Sequence, residues 1–253
     1  MVSFEGALFK LWPHGDDKIP GLRAAIVKDA ARVFETYGIN TKTAMLQFMA
    51  QISHECGAGL DVEENLNYSA SRMTQVWPSR FPTIEDAVPY ANNPQKLANK
   101  VYNGRMGNQM YSNDGWNFRG RGGTQVTGRE GYTKLGQKLG IDLTASPSLV
   151  NDPKWFLEAA AADFVICGCL LPALSGDLSR VTRLLNGGYI GIDQRKQWLE
   201  RWTAENVELP FVLPTVKPTP SVVVSRPVPD PAPSYGFWST VLEIIKGIFT
   251  RKG

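Results

Sequence analysis

Thr41-Lys42-Thr43-Ala44-Met45-Leu46-Gln47-Phe48-Met49-Ala50-Gln51-Ile52-Ser53-His54-Glu55-Cys56-Gly57 decides how this chain is built. Met45, Phe48, Met49 and Ile52 recur at three- and four-residue intervals. That spacing lays them on one face of a helix from about Thr41 to Cys56, with Gly57 and Gly59 as stops. The same period continues outward. On the N-terminal side, Pro20 opens a stretch carrying Leu22, Ala25, Ile26, Val33, Phe34 and Tyr37, closed by Gly38. On the C-terminal side, helical patterns fall near 70–77, 94–103, 130–139, 153–170, 177–185 and 192–205. No run with sustained two-residue alternation competes with them, and only the glycine-rich stretch 115–131 has room for short extended segments. The spacing predicts a mainly α protein.

A chain of 253 residues with 43% hydrophobic content can bury one sizeable core. The net charge of +3 lies entirely in the tail. Residues 210–253 hold Lys217, Arg226, Lys246, Arg251 and Lys252 against Asp230 and Glu243, which leaves 22 basic and 22 acidic residues in 1–209. A balanced body gives no electrostatic footprint for nucleic acid. The start, Met1-Val2-Ser3-Phe4-Glu5-Gly6, lacks a basic segment followed by a long apolar run, so the expectation is cytoplasmic synthesis without a signal peptide. Cys56, Cys167 and Cys169 are odd in number and are expected to be reduced, mostly buried thiols. His14 and His54 stand far apart, with no Cys-x-x-Cys and no acidic calcium loop, so neither a metal nor a cofactor is expected.

The character changes at Pro210. Eight prolines lie within the 24 residues 210–233, which predicts a semi-rigid extended linker over 210–234 with a contour of roughly 70 Å. The folded domain is therefore expected to span 1–209. Beyond the linker, 235–253 places Phe237, Trp238, Val241, Leu242, Ile244, Ile245, Ile248 and Phe249 on one broad helical face, followed by Arg251 and Lys252. Its apolar stretch falls short of the roughly 20 residues that cross a bilayer. A basic amphipathic helix that touches membrane, lipopolysaccharide or a partner is the expectation, against the alternative of an extra core helix.

Two carboxylates carry the chemistry. Glu55 sits in the last turn of its helix, where the dipole is negative and Ile52 and Cys56 suggest desolvation; both effects favour a proton-bearing general acid. Glu64 follows in a loop with Asn65, Asn67, Tyr68 and Ser69, groups suited to sugar hydroxyls. Glu63 is the adjacent competitor and Asp61 a weaker one. Carboxyls about 6.5–9.5 Å apart leave room for a water and an inverting reaction, and a separation near 5 Å implies retention; spacing in sequence leaves both open. In Trp116-Asn117-Phe118-Arg119-Gly120-Arg121-Gly122-Gly123-Thr124-Gln125-Val126-Thr127 the glycines suit close approach of a sugar chain. Thr127 is a candidate holder of the attacking water and Gln125 a ligand for an acetamido group. Leu185-Asn186-Gly187-Gly188 reads first as a helix end, and in its functional version offers Asn186 to a substrate amide.

Taken in order, Gln51-Ile52-Ser53-His54-Glu55, Glu64-Asn65-Leu66-Asn67-Tyr68-Ser69, Gly120-Arg121-Gly122 with Gln125 and Thr127, and Leu185-Asn186-Gly187-Gly188 resemble glycoside hydrolase family 19, and within it the phage endolysin branch. The resemblance spans about residues 20–205. It implies a bilobal lysozyme-like fold with a cleft between helical lobes and an inverting mechanism, with Glu55 as general acid, Glu64 as general base and Thr127 beside the water. It also implies Tyr68, Gln125, Asn186 and Arg195 as substrate-binding positions. Plant members of the family commonly carry Pro-Ile where this chain has Gly123 and Thr124. With the lack of a disulfide framework, that difference favours peptidoglycan strands over chitin as the partner. The resulting expectation is a monomeric endolysin that cuts β-1,4 bonds of peptidoglycan and reaches the wall in the periplasm after holin-type release. The alternatives are a chitinase, or a wall-binding domain whose cationic tail permeabilises membrane.

Overall fold

The computed structural model describes residues 1–210. Beyond Pro210, the expected linker over 210–234 and the expected helix over 235–253 lie outside the described residues. Within them the chain forms α1 (Phe4–Leu11), α2 (Leu22–Thr36), α3 (Lys42–Glu55), α4 (Ala70–Val76), α5 (Ile84–Ala87), α6 (Pro94–Tyr102), α7 (Asp114–Asn117), α8 (Arg129–Leu139), α9 (Pro153–Ile166), α10 (Leu170–Leu174), α11 (Leu178–Asn186) and α12 (Ile192–Ala204). Extended pairing among the described residues is limited to isolated bridges, Val2 with Val207, Glu63 with Arg121 and Arg121 with Val126. No described helix is long and apolar enough to cross a membrane.

The central element is α3, the helix the sequence marked. The Thr41 hydroxyl accepts a hydrogen bond from the Ala44 amide at its start, and residues Ala44 to Ser53 are buried on every side. A helix buried all round must find partners for each polar group it carries. Ser53 accepts the indole N–H of both Trp12 and Trp202, each at 2.9 Å, and Gln47 donates to the Gly176 carbonyl at 3.1 Å. These polar side chains pin α1, α12 and the α10–α11 turn to one helix. Around them an edge-to-face series runs from Phe4 to Phe34, Phe48 and Phe164, with centroids 5.3–5.8 Å apart.

A second apolar cluster is separate from this core. Leu66, Tyr68, Met73, Trp77, Phe81, Leu97, Val101 and Tyr102 pack together from α4, α6 and the loops beside them. Two clusters make two lobes, the larger built on α3 and the smaller on α6, as expected. The structure also departs from the sequence reading in detail. The helix expected over 153–170 breaks at Gly168, whose φ of +76° ends α9 before α10 begins. Helix α1, capped by the Ser3 side chain, had no expectation, because eight residues carry too little periodicity to stand out. The two ends of the described chain meet, with the Glu208 amide bonded to the Val2 carbonyl at 2.9 Å.

Candidate active site

Glu64 is placed by backbone pairing. Its amide donates to the Gly120 carbonyl at 2.9 Å and the Gly122 amide donates to Val62 at 3.0 Å, so segment 62–64 lies antiparallel against 120–122. Successive side chains on an extended segment point to opposite sides, which separates the two candidate bases. Glu63 keeps a side chain 40% exposed, and its carboxylate contacts Arg119 and lies 3.6 Å from Arg121. Glu64 is 6% exposed; its carboxylate accepts the Tyr102 hydroxyl and, at 3.2 Å, the Gly120 amide. Glu63 is thus held by two guanidiniums, whereas a phenol and a backbone amide are among the donors that Glu64 meets. Burial and the Glu64 charge push the Tyr102 phenol well above its ordinary range, so it remains a donor at working pH. The Arg119 guanidinium lies 3.5 Å over Trp116, and burial, with Arg121 beside it, lowers its pKa to about 10.

Gly120 gathers three of the expected residues. A Cβ at that position would stand 3.1 Å from Gln125 Oε1, 3.3 Å from Thr127 Oγ1 and 3.5 Å from Glu64 Cβ. Gln125 adopts φ +56°, a left-handed conformation that side chains other than glycine disfavour. Its amide nitrogen fixes that turn by donating to the carbonyls of Asp61 (2.9 Å) and Gly122 (3.0 Å). With Nε2 engaged, Oε1 faces Gly120 as an acceptor, which suits an acetamido N–H or a sugar hydroxyl. Thr127 donates to the Gln125 carbonyl at 2.9 Å, leaving its oxygen lone pairs as acceptors for a water.

Glu55 lies at the end of α3 and is 2% exposed. The guanidinium of Arg195 on α12 contacts its carboxylate, and the same side chain donates to Gln51 Oε1 at 2.8 Å and to the Ile190 carbonyl at 2.9 Å. Gln51 in turn donates to Thr182 on α11 at 3.0 Å, and Asn186 donates to the Ile190 carbonyl at 3.0 Å. The acid expectation for Glu55 counted a helix end and apolar neighbours, and the structure adds a buried cation that it did not include. Arg195 and Asn186 have no exposed surface. They therefore sit behind the site, where they position Glu55 and the α11–α12 turn, and the expectation of direct substrate contact is revised for both.

A cleft of about 650 Å³ opens between the lobes. His54 and Gly57 border it from the end of α3, Glu64 and Tyr68 from the loop, Gln125 from the glycine-rich segment, and Trp198 from α12. A smaller cavity of about 40 Å³ lies beyond Gln125, lined by Thr127, Thr124, Lys134 and Asp163. Gln125 belongs to both. Desolvation raises the Asp163 carboxyl to about 6 despite its bond to Thr124, and the charge of Glu55 pushes in the same direction. Glu64, Tyr68 and Gln125 thus line the open cleft, Thr127 the small cavity, and Glu55 the interior beside them.

Several contributors escaped the sequence reading. Tyr102 stands 38 residues from Glu64, and Asp163 and Thr182 come from segments read only as helical patterns. Trp198 had a local signal that went unread, a stripe with Gln194, Gln197 and Arg201 at helical spacing. The three cysteines are free, with Cys56 and Cys169 buried. Among the described residues no three His, Cys, Asp or Glu side chains converge as metal ligands would.

Comparison with known proteins gives two kinds of likeness. A glycosyl hydrolase family 19 domain-containing protein of Haemophilus influenzae is 34% identical over 197 residues, covering 77% of this chain and 92% of that protein. No family model matches the chain. Among solved structures, a chitinase C mutant superposes with a TM-score of 0.53 at 17% identity, covering 82% of this chain and 94% of that one. Chitinase C from Streptomyces griseus superposes at 0.50 with 18% identity, covering 79% and 90%. At such identities the two structures speak for a shared fold.

Proposed function

Since the chain belongs to glycosyl hydrolase family 19 and is a glycoside hydrolase, we propose that it cuts β-1,4 bonds in the aminosugar backbone of bacterial peptidoglycan, with inversion, as an endolysin. The observation that carries this reading is the placement of two buried carboxyls on separate elements beside one interlobe cleft, Glu55 held by Arg195 and Glu64 held by Tyr102 and the Gly120 amide. Glu55 gives its proton to the leaving glycosidic oxygen. Glu64 takes a proton from a water, whose oxygen forms the new bond to the anomeric carbon on the opposite face, while Thr127 and Gln125 orient water and acetamido group around Gly120. In this reading the enzyme acts on the wall from the periplasm after holin-type release.

A chitinase reading uses the same pair and draws support from the solved neighbours, which are chitinase C. Mass spectrometry of soluble products from purified peptidoglycan and from chitin oligomers separates the two. We expect fragments ending in reducing N-acetylmuramic acid with the wild-type protein and none with Glu55→Gln or Glu64→Gln. Cleavage of chitin alone overturns the peptidoglycan assignment, and full activity in Glu55→Gln removes that residue from the acid role.

A further inference from the structure

We propose that the cleft contains a carboxylate-binding subsite, formed by Arg201 and Trp198 on α12 with Arg72 on α4, that takes the acidic peptide stems carried by the glycan; it rests on the peptidoglycan reading above. The geometry begins with one helix. Gln194, Gln197, Trp198 and Arg201 follow the i, i+3, i+4, i+7 spacing of a single face of α12, and all four border the cleft. An adjacent face sends Arg195 and Trp202 into the core. An amide, an amide, an indole and a guanidinium thus form a continuous rim on the larger lobe.

Arg201 is exposed, and its guanidinium lies 4.8 Å over the Trp198 ring. Stacking on an indole fixes the plane of the guanidinium while leaving its N–H edge able to grip a carboxylate in bidentate fashion. Arg201 makes no ion pair among the described residues. Arg72 borders the same cleft from the smaller lobe, where Met73 anchors α4 in the apolar cluster. One of its guanidinium nitrogens donates to Gln75 at 3.0 Å. Asp61, Glu63 and Glu64 come from the connecting loop, with Glu63 held by Arg119 and Arg121 and Glu64 by Tyr102 and Gly120. Arg201 and Arg72 thus bring positive charge to the cleft from both lobes. A neutral aminosugar polymer offers the rims nothing to pair with, whereas acidic stems projecting from the strand offer carboxylates. Such complementarity discriminates between polymers that share one backbone.

The test compares kcat/KM on soluble peptidoglycan strands with their stems intact and on the same strands after an amidase has removed the stems, for the wild type and for Arg201→Gln. The exposed position of Arg201 makes the substitution compatible with folding. We expect the wild type to prefer intact strands by about tenfold, the order of one charge-assisted contact, and this ratio to fall towards one in Arg201→Gln. Equal wild-type rates on both polymers, or a ratio untouched by the substitution, overturn the subsite while the peptidoglycan reading stands. Failure of the wild type to cut either polymer overturns that reading itself.

Discussion

Arg195 and Glu55, 140 residues apart in sequence, meet inside the larger lobe with Arg195 entirely buried and Glu55 nearly so. The pair joins the end of α3 to α12, and Gln51 and the Ile190 carbonyl hold the rest of the guanidinium. Glu55 makes the burial of Arg195 tolerable, since a lone guanidinium in that position would lose its hydration without return.

Removing one partner should therefore cost more than removing both. Arg195→Met is expected to lower stability by about 3–5 kcal/mol and abolish glycan cleavage, whereas Arg195→Met combined with Glu55→Leu should lose less than the sum of the two single changes. Urea denaturation of the four proteins measures the coupling. Strict additivity would show that the contact carries no interaction energy.

Tyr102→Phe removes the hydroxyl that orients Glu64 and keeps the ring packed among Leu97, Val101 and Trp77. We expect kcat to fall about tenfold with little change in KM, and a stability loss of about 1–2 kcal/mol from the deleted bond. A changed KM with unchanged kcat would place Tyr102 in substrate binding instead.

Gly120→Ala tests the convergence point. The added methyl would meet Gln125 Oε1 and Thr127 Oγ1 at 3.1 and 3.3 Å, which a shift of a few tenths of an ångström relieves. Stability should change by no more than about 1 kcal/mol. Activity should fall about a hundredfold, because the displaced groups are those that orient the water and the acetamido group. Parallel thermal melts and rate measurements on the variant separate the two effects.

Asp163 makes stability depend on pH. Its carboxyl binds a proton more tightly in the folded protein, at about 6, than the ordinary aspartate value of 3.8 allows in the unfolded chain. The folded state thus holds more protons across that interval, and stability falls as pH rises from about 4 to about 6, with the whole penalty present above it. Asp163→Asn should accordingly raise the melting temperature over wild type near pH 7.5 and leave it little changed near pH 4. A difference independent of pH would assign the effect to packing.

How much of this was legible in the sequence differs between elements. The helix that became α3 was readable to within a residue at each end, because Thr41 caps it and its apolar spacing is local. Its partner α12 was readable as a helix, yet nothing in 192–205 announced that Arg195 faces inward to Glu55 while Arg201 faces the cleft. Asn186 was readable both as a helix end and as a ligand; Gly187 ends α11 in the left-handed conformation, and the Asn186 side chain turns to the Ile190 carbonyl. The preference for Glu64 over Glu63 rested on the family resemblance and not on local chemistry, since adjacent identical side chains acquire different surroundings only when the loop pairs with 120–122.

The sequence by itself determined the helical class, the position of α3, the family blocks that carry Glu55, Glu64, Gln125 and Thr127, and the change of character at Pro210. These follow from spacings of a few residues, within which backbone hydrogen bonding and side-chain periodicity act. It took the folded chain to bring Arg195 behind Glu55, Tyr102 onto Glu64, three functional groups to Gly120, and Arg201 and Arg72 to one cleft. Those relationships join residues tens to more than a hundred positions apart. They exist because burying two apolar clusters in one chain leaves a single polar seam between them, along which buried donors, acceptors and charges must satisfy one another.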